Sequence, residues 1–72
     1  MSKTITTTIA AVQADNAGGV KADFGSKWNP VLTGTASGVS NIAVVLCFAA
    51  ANKSNIAVEL DGSGNIIRAT FP

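Results

Sequence analysis

Hydrophobic positions change rhythm along this chain. From Lys3 to Ala14 they alternate with threonine, so Ile5, Thr7, Ile9 and Ala11 share one side of an extended segment. Thr4, Thr6, Thr8, Ala10 and Val12 take the other side, and neither side is strongly apolar. Val20–Phe24 alternates cleanly, with Val20, Ala22 and Phe24 inward and Lys21 and Asp23 outward. From Ile42 to Ala51 ten apolar residues stand in a row. Alternation returns in Ile56–Leu60 and Ile66–Phe71. Turn-forming clusters separate these runs: Asp15-Asn-Ala-Gly-Gly19, Gly25-Ser-Lys-Trp-Asn-Pro30, Gly34-Thr-Ala-Ser-Gly38 and Asp61-Gly-Ser-Gly-Asn65. Gly25–Pro30 reads as loop, and Val31–Thr35 as a short strand.

The pattern predicts an all-β fold, a small antiparallel sandwich or open barrel in one domain over residues 1–72. Its base is a C-terminal three-stranded meander of 42–51, 56–60 and 66–71. An N-terminal hairpin of Lys3–Ala14 with Val20–Phe24 completes it, or residues 1–14 form an extended arm or edge strand. The apolar run 42–51 fits two templates. As a helix it is apolar all round, with Ser40 as an N-cap and no capping-box acid. As a strand it is buried on both faces. Its β-branched Ile42, Val44 and Val45 and its alternating neighbours point to strand.

Register sharpens the meander. With Gly62–Asn65 as the loop, Leu60 faces Ile67, Val58 faces Ala69 and Ile56 faces Phe71, while Glu59 meets Arg68 and Ala57 meets Thr70. A slip of one residue puts Ile67 against Glu59 and mixes the faces. A loop Lys53–Asn55, with Asn55 left-handed, sets Leu60 against Phe48 and Val58 against Ala50. Leu46, Phe48, Val58, Leu60, Ile67, Ala69 and Phe71 then share a face. Ile42–Val45 overhangs its partner and needs the N-terminal segment or another subunit.

Composition makes that need general. Apolar residues form 47% of the chain and charged residues only 12%, about half the usual charged share, so the surface is poorly guarded against association. A chain of 72 residues has a marginal core, and one Cys with no His offers neither a disulfide nor a zinc site. Oligomerisation or docking on a larger assembly is what remains. Lys3, Lys21, Lys27, Lys53 and Arg68 are scattered and the net charge is +1, which argues against a nucleic-acid footprint. The run 42–51 is half a membrane span, and the N-terminus has no apolar signal segment.

Catalytic chemistry finds little to work with. Asp23-Phe-Gly25 spells a kinase tripeptide without any other kinase signature, and Asp61–Asn65 lacks the closing Glu of a calcium loop. Asn52-Lys-Ser54 matches a glycosylation triplet and reads as a turn. Cys47, with no His to activate it, reads as a small core residue, and Trp28 as a cap on the core. No catalytic, cofactor or metal residue is assigned.

In composition, and in its stretch Lys3–Ala14, the chain resembles small β-rich virion components such as phage head-decoration or tail proteins. That resemblance implies a charge-poor, non-enzymatic subunit whose N-terminal arm adds a strand to a neighbour. The expected partners are further copies of the chain and a larger assembly, the virion being the location implied. The candidate interface residues are Ile5, Thr7, Ile9, Trp28, Ile42, Val44 and Val45. The alternative is a small binding module that recognises a glycan or peptide through the Trp28 loop.

Overall fold

The computed structural model describes residues 2–25, 27–32, 34 and 36–71, without the side chains of 36 and 37. In chain order the elements are β1 (Lys3–Thr7), β2 (Ala11–Ala14), β3 (Val20–Asp23), β4 (Trp28–Pro30), α1 (Ala36–Asn52), β5 (Ile56–Leu60) and β6 (Ile66–Thr70). The strands form two antiparallel three-stranded sheets, ordered β1-β5-β6 and β2-β3-β4. Strand therefore dominates, as the alternating runs require. Between the sheets and α1 lies one core, in which Leu46, Ala49, Ile56, Val58, Ile66 and Ala22 are fully buried.

The run Ile42–Ala51 is helix, not strand: it forms most of α1. Length and alanine content explain the outcome. Ten apolar residues exceed the usual strand, and Ala43, Ala49, Ala50 and Ala51 carry the highest helix propensity. Val39, Ile42, Ala43, Leu46, Ala49 and Ala50 recur at helical spacing and pack on the core. Ser40 lies inside the helix rather than at its start. The helix ends in a Schellman motif. The Ser54 N–H donates to the Ala49 carbonyl at 3.1 Å and the Lys53 N–H to the Ala50 carbonyl at 3.2 Å. Lys53, at φ 52°, is the left-handed residue there, and Asn55 is not.

With 42–51 helical, β1 takes the place beside β5, pairing Ile5 with Val58 and Thr7 with Ile56. Lys3–Ala14 is thus two strands in different sheets. The chain crosses between them at Thr8–Ala10, where buried Ile9 enters the core. Only Ala11–Ala14 forms the expected hairpin with Val20–Asp23. Trp28–Pro30, expected as loop, is an edge strand on β3, where a proline is tolerated because its missing N–H faces away from the ladder. Of Val31–Thr35, Val31 makes a parallel bridge to Ile66, while Thr33 and Thr35 lie outside the described residues.

The β5–β6 register follows the expectation at three pairs: Ala57 with Thr70, Val58 with Ala69, and Glu59 with Arg68. The Arg68 Nε lies 3.5 Å from the Glu59 carboxylate. A bulge then intervenes, so that Leu60 pairs with Ile66 instead of Ile67. Ile66 goes into the core and Ile67 is left exposed.

The bulge conceals an internal repeat. Ala11–Phe24 and Ala57–Phe71 align without a further gap once Ile67 is set aside as the extra residue. Ala11, Val12, Asp15, Gly18, Ala22 and Phe24 correspond to Ala57, Val58, Asp61, Gly64, Ala69 and Phe71. Gln13, Val20 and Lys21 correspond to the similar Glu59, Ile66 and Arg68. The strand pairs correspond too: Ala11–Asp23, Val12–Ala22, Gln13–Lys21 and Ala14–Val20 occupy the places of Ala57–Thr70, Val58–Ala69, Glu59–Arg68 and Leu60–Ile66. Both loops bond alike. The Asp15 Oδ1 accepts the N–H groups of Ala17 and Gly19, and the Asp61 Oδ1 those of Ser63 and Asn65, all at 2.8–3.0 Å. Gly18 (φ 92°) and Gly64 (φ 85°) supply the same left-handed step. Val31 and Leu32 stitch the two copies together. The Val31 N–H donates to the Val20 carbonyl and the Leu32 N–H to the Ile66 carbonyl, at equivalent positions.

Candidate interaction surface

Helix α1 has two apolar sides, because its sequence is apolar nearly all round. One side packs on the core; the other carries Val44, Cys47, Phe48 and Ala51, all exposed. Val44 is 68% exposed and Phe48 55%, large fractions for side chains of this type. No residue of the helix is charged. A solvated helix normally turns charged or polar residues outward, and among the described side chains of α1 only Ser40, Asn41 and Asn52 do so.

The neighbouring edge of β6 extends this surface. Phe48 meets Phe71 edge-on, with ring centroids 5.0 Å apart and planes at 79°. Phe71 is itself 38% exposed, so the pair stands as a partly bare aromatic knob. Further toward the start of the helix lies a shallow apolar groove of about 210 Å³ between α1 and β6. Leu32, Val39, Ile42, Ile66 and Ile67 line it, and Leu32 and Ile67 are exposed at its rim.

The expected interface residues do not form one patch. Val44 lies on the bare side of α1; Val45 and Ile42 are half-buried, Ile42 lining the groove. Ile5 and Thr7 belong to β1, whose pairing with β5 half-buries both, and Ile9 is buried in the core. Trp28 sits on the outer face of the β2-β3-β4 sheet, 41% exposed rather than capping the core, with the Lys21 ammonium 5.4 Å above its ring. Cys47 is exposed, not a core residue. Sequence reasoning missed Phe48, Phe71, Ile67 and Leu32 as surface. The spacing of 44, 47, 48 and 51, a second helical stripe within the apolar run, was the available signal.

A wide cleft of about 650 Å³ between the sheets is lined by Ile5, Phe24 and Leu60 with Lys3, Lys27 and Asp61 at its margins. Buried Asn29 closes its floor by donating to the Gly64 carbonyl at 2.9 Å. The Asn65 backbone N–H first, and its side-chain amide second, hold the Asp61 carboxyl below its ordinary range. Among the described residues no three His, Cys, Asp or Glu side chains gather as metal ligands, and no helix is long and apolar enough to cross a membrane. Set against protein-family models, curated proteins and solved structures, the chain matches none.

Proposed function

We propose that the protein is a non-enzymatic structural subunit that works by association, in a symmetric homo-oligomer or on a larger assembly. One observation carries this reading: the outward side of α1 is apolar and uncharged, with Val44 and Phe48 more than half exposed beside Phe71. Such a face costs solubility unless a protein covers it. The host that the composition fits best is a virion, with the chain as a phage head-decoration or tail protein. The test is the mass of the full chain by light scattering across a dilution series. Association is expected, and a stable monomer throughout overturns the proposal. For the virion, purified particles of the encoding phage should contain the chain at a fixed copy number; particles without it remove that host.

Trp28 supports a second reading, a module that binds a glycan or peptide on the outer sheet face. Its ring is partly bare, and Gln13 and Lys21 stand nearby in the ladder. Lys21 already covers the ring, which works against stacking by a sugar. A Trp28 fluorescence shift on adding a glycan or peptide, with no shift on association, would favour this module.

A further inference from the structure

We infer that the cleft between the sheets binds a small aromatic acid, with its ring against Phe24, its anionic head between Lys3 and Lys27, and a hydroxyl donating to the Asn29 Oδ1. The cleft takes its walls from β1, β4, the end of β5 and the loop 61–64, and from no residue of α1. The site therefore stands apart from the associative reading above.

Asn29 carries the argument. Its side chain is only 4% exposed, the one buried polar side chain among the described residues. The Nδ2 donates to the Gly64 carbonyl at 2.9 Å, which fixes the way the amide points and leaves Oδ1 as an acceptor. That oxygen accepts no hydrogen bond from any described residue. It is not sealed in the interior either, since no buried side-chain oxygen or nitrogen among those residues lacks a partner. Oδ1 is thus open to the cleft that Asn29 lines. A recessed acceptor on an apolar floor is the kind of polar group that orients a ligand in its pocket.

Charge selects the other end of the ligand. Lys3, in β1, and Lys27, just before β4, are exposed at the margin, and neither has an ion-pair partner among the described residues. Elsewhere Lys21 lies over the Trp28 ring and Arg68 beside Glu59. The carboxylate at the margin, Asp61, turns both oxygens to its own loop. Its Oδ1 accepts from the backbone N–H groups of Ser63 and Asn65, and its Oδ2 from the Asn65 amide. Two unpaired cations against one carboxylate already occupied leave the margin positive, so that it favours an anion.

The internal repeat supplies the shape of the body between. Phe71, the equivalent of Phe24, has the Phe48 ring edge-on at 5.0 Å. Among the described residues Phe24 has no ring against it, and it lines the cleft half-buried beside Ile5 and Leu60. A ligand ring supplies there the aromatic partner that Phe48 supplies to Phe71. At about 650 Å³ the cleft lies within the usual size of a small-molecule pocket.

The experiment titrates the isotope-labelled full chain with para-hydroxycinnamate and follows its amide NMR signals. Saturable shifts are expected at Ile5, Phe24, Asn29, Leu60 and Gly62–Gly64. Cinnamate, which lacks the donor, and methyl para-hydroxycinnamate, which lacks the anion, should each bind about threefold to tenfold more weakly. The double variant Lys3→Gln, Lys27→Gln should keep the native circular dichroism, because both sites are exposed, and should lose the preference for the acid over its methyl ester. No saturable shift at millimolar ligand overturns the site. Equal affinity for all three compounds makes the cleft a merely greasy surface and refutes recognition by Asn29 and the lysines. A preference for the acid that survives in the double variant refutes the lysines' part. Shifts centred on Lys21 and Trp28 instead remove the cleft in favour of the outer sheet face.

Discussion

The end of α1 gives a test in which the sign of an effect, not only its size, is at stake. Lys53 occupies the left-handed position of the Schellman motif, at φ 52°. A residue with a Cβ there costs about 1–2 kcal/mol relative to a right-handed conformation, because the Cβ crowds the following carbonyl. Glycine escapes that cost and loses about 0.5–1 kcal/mol through the greater freedom of its unfolded chain. Lys53 also places a cation at the helix C-terminus, worth about 0.3–1 kcal/mol. A direct Lys53→Gly comparison would therefore mix opposing effects. Comparing Lys53→Gly with Lys53→Ala removes the charge from both sides. The glycine variant should then be the more stable by about 0.5–1 kcal/mol, near 2–8 °C in Tm for a domain of this size. Within a helix the order is reversed, with alanine ahead by about 1 kcal/mol. Thermal and urea unfolding at one fixed protein concentration reads the difference, since association would otherwise shift both curves. An alanine variant as stable as the glycine variant, or more so, refutes the cap. A stabilising Asn55→Gly in its place would restore the hairpin loop that the alternating pattern suggested.

Three further outcomes follow from the same contacts. Leu46→Ala, at a fully buried site, should cost about 2–5 kcal/mol, whereas Val44→Ala should stay within about 0.5 kcal/mol in dilute protein. On a strand, 44 and 46 would share a face, so equal costs in urea unfolding would contradict the helix. The Asp61 carboxyl is held low in the fold by Asn65, so its contribution is present above the unfolded pKa of about 3.9 and lost as pH falls through the lower folded value. The stability gap between wild type and Asp61→Ala should accordingly be constant near neutral pH and close at acid pH; a gap that widens there is incompatible with the bonding seen. Exchanging the second loop for the first, by Gly62→Asn, Ser63→Ala and Asn65→Gly, should change stability by no more than about 1 kcal/mol. Gly64→Ala should alone cost about 1–2 kcal/mol because of its φ of 85°, and a loop exchange costing more than that substitution would deny the equivalence of the hairpins.

What could be read from the amino-acid order, and what could not, divides along physical lines. Ala57–Thr70, Val58–Ala69 and Glu59–Arg68 were readable because one register alone keeps apolar residues on one face and opposes the charges. The bulge at Ile67 was not, since nothing in Ile66-Ile67 says which isoleucine turns inward. The same extra residue hid the repeat: the two halves keep one spacing up to Val20 and Ile66, and another from Lys21 and Arg68 onward. The run 42–51 defeated periodicity because residues that are apolar all round satisfy both the strand and the helix period. The shortage of charge suggested an associating surface without placing it. The bare side of α1 was not legible, because locating its residues required knowing which side of the helix the core takes.

The two hairpins act as a control for one another. They share register, loop bonding and a closing phenylalanine, so differences in their burial come from what lies against them and not from their own folding. Strand β1 covers β5, and the equivalent positions Ala14 and Leu60 differ accordingly, the alanine exposed and the leucine buried. Small and exposed, large and covered: that pairing is what a chain adapted to its neighbours should show. The equivalent phenylalanines are both partly exposed: Phe24 is half-buried, and Phe71, with Phe48 against it, is 38% exposed. At β2 the uncovered position is a small alanine, whereas beside α1 the uncovered positions remain Phe71, Phe48 and Val44. Under the associative function proposed above, those uncovered positions are where a partner would lie, and the large side chains there are what such a partner would cover.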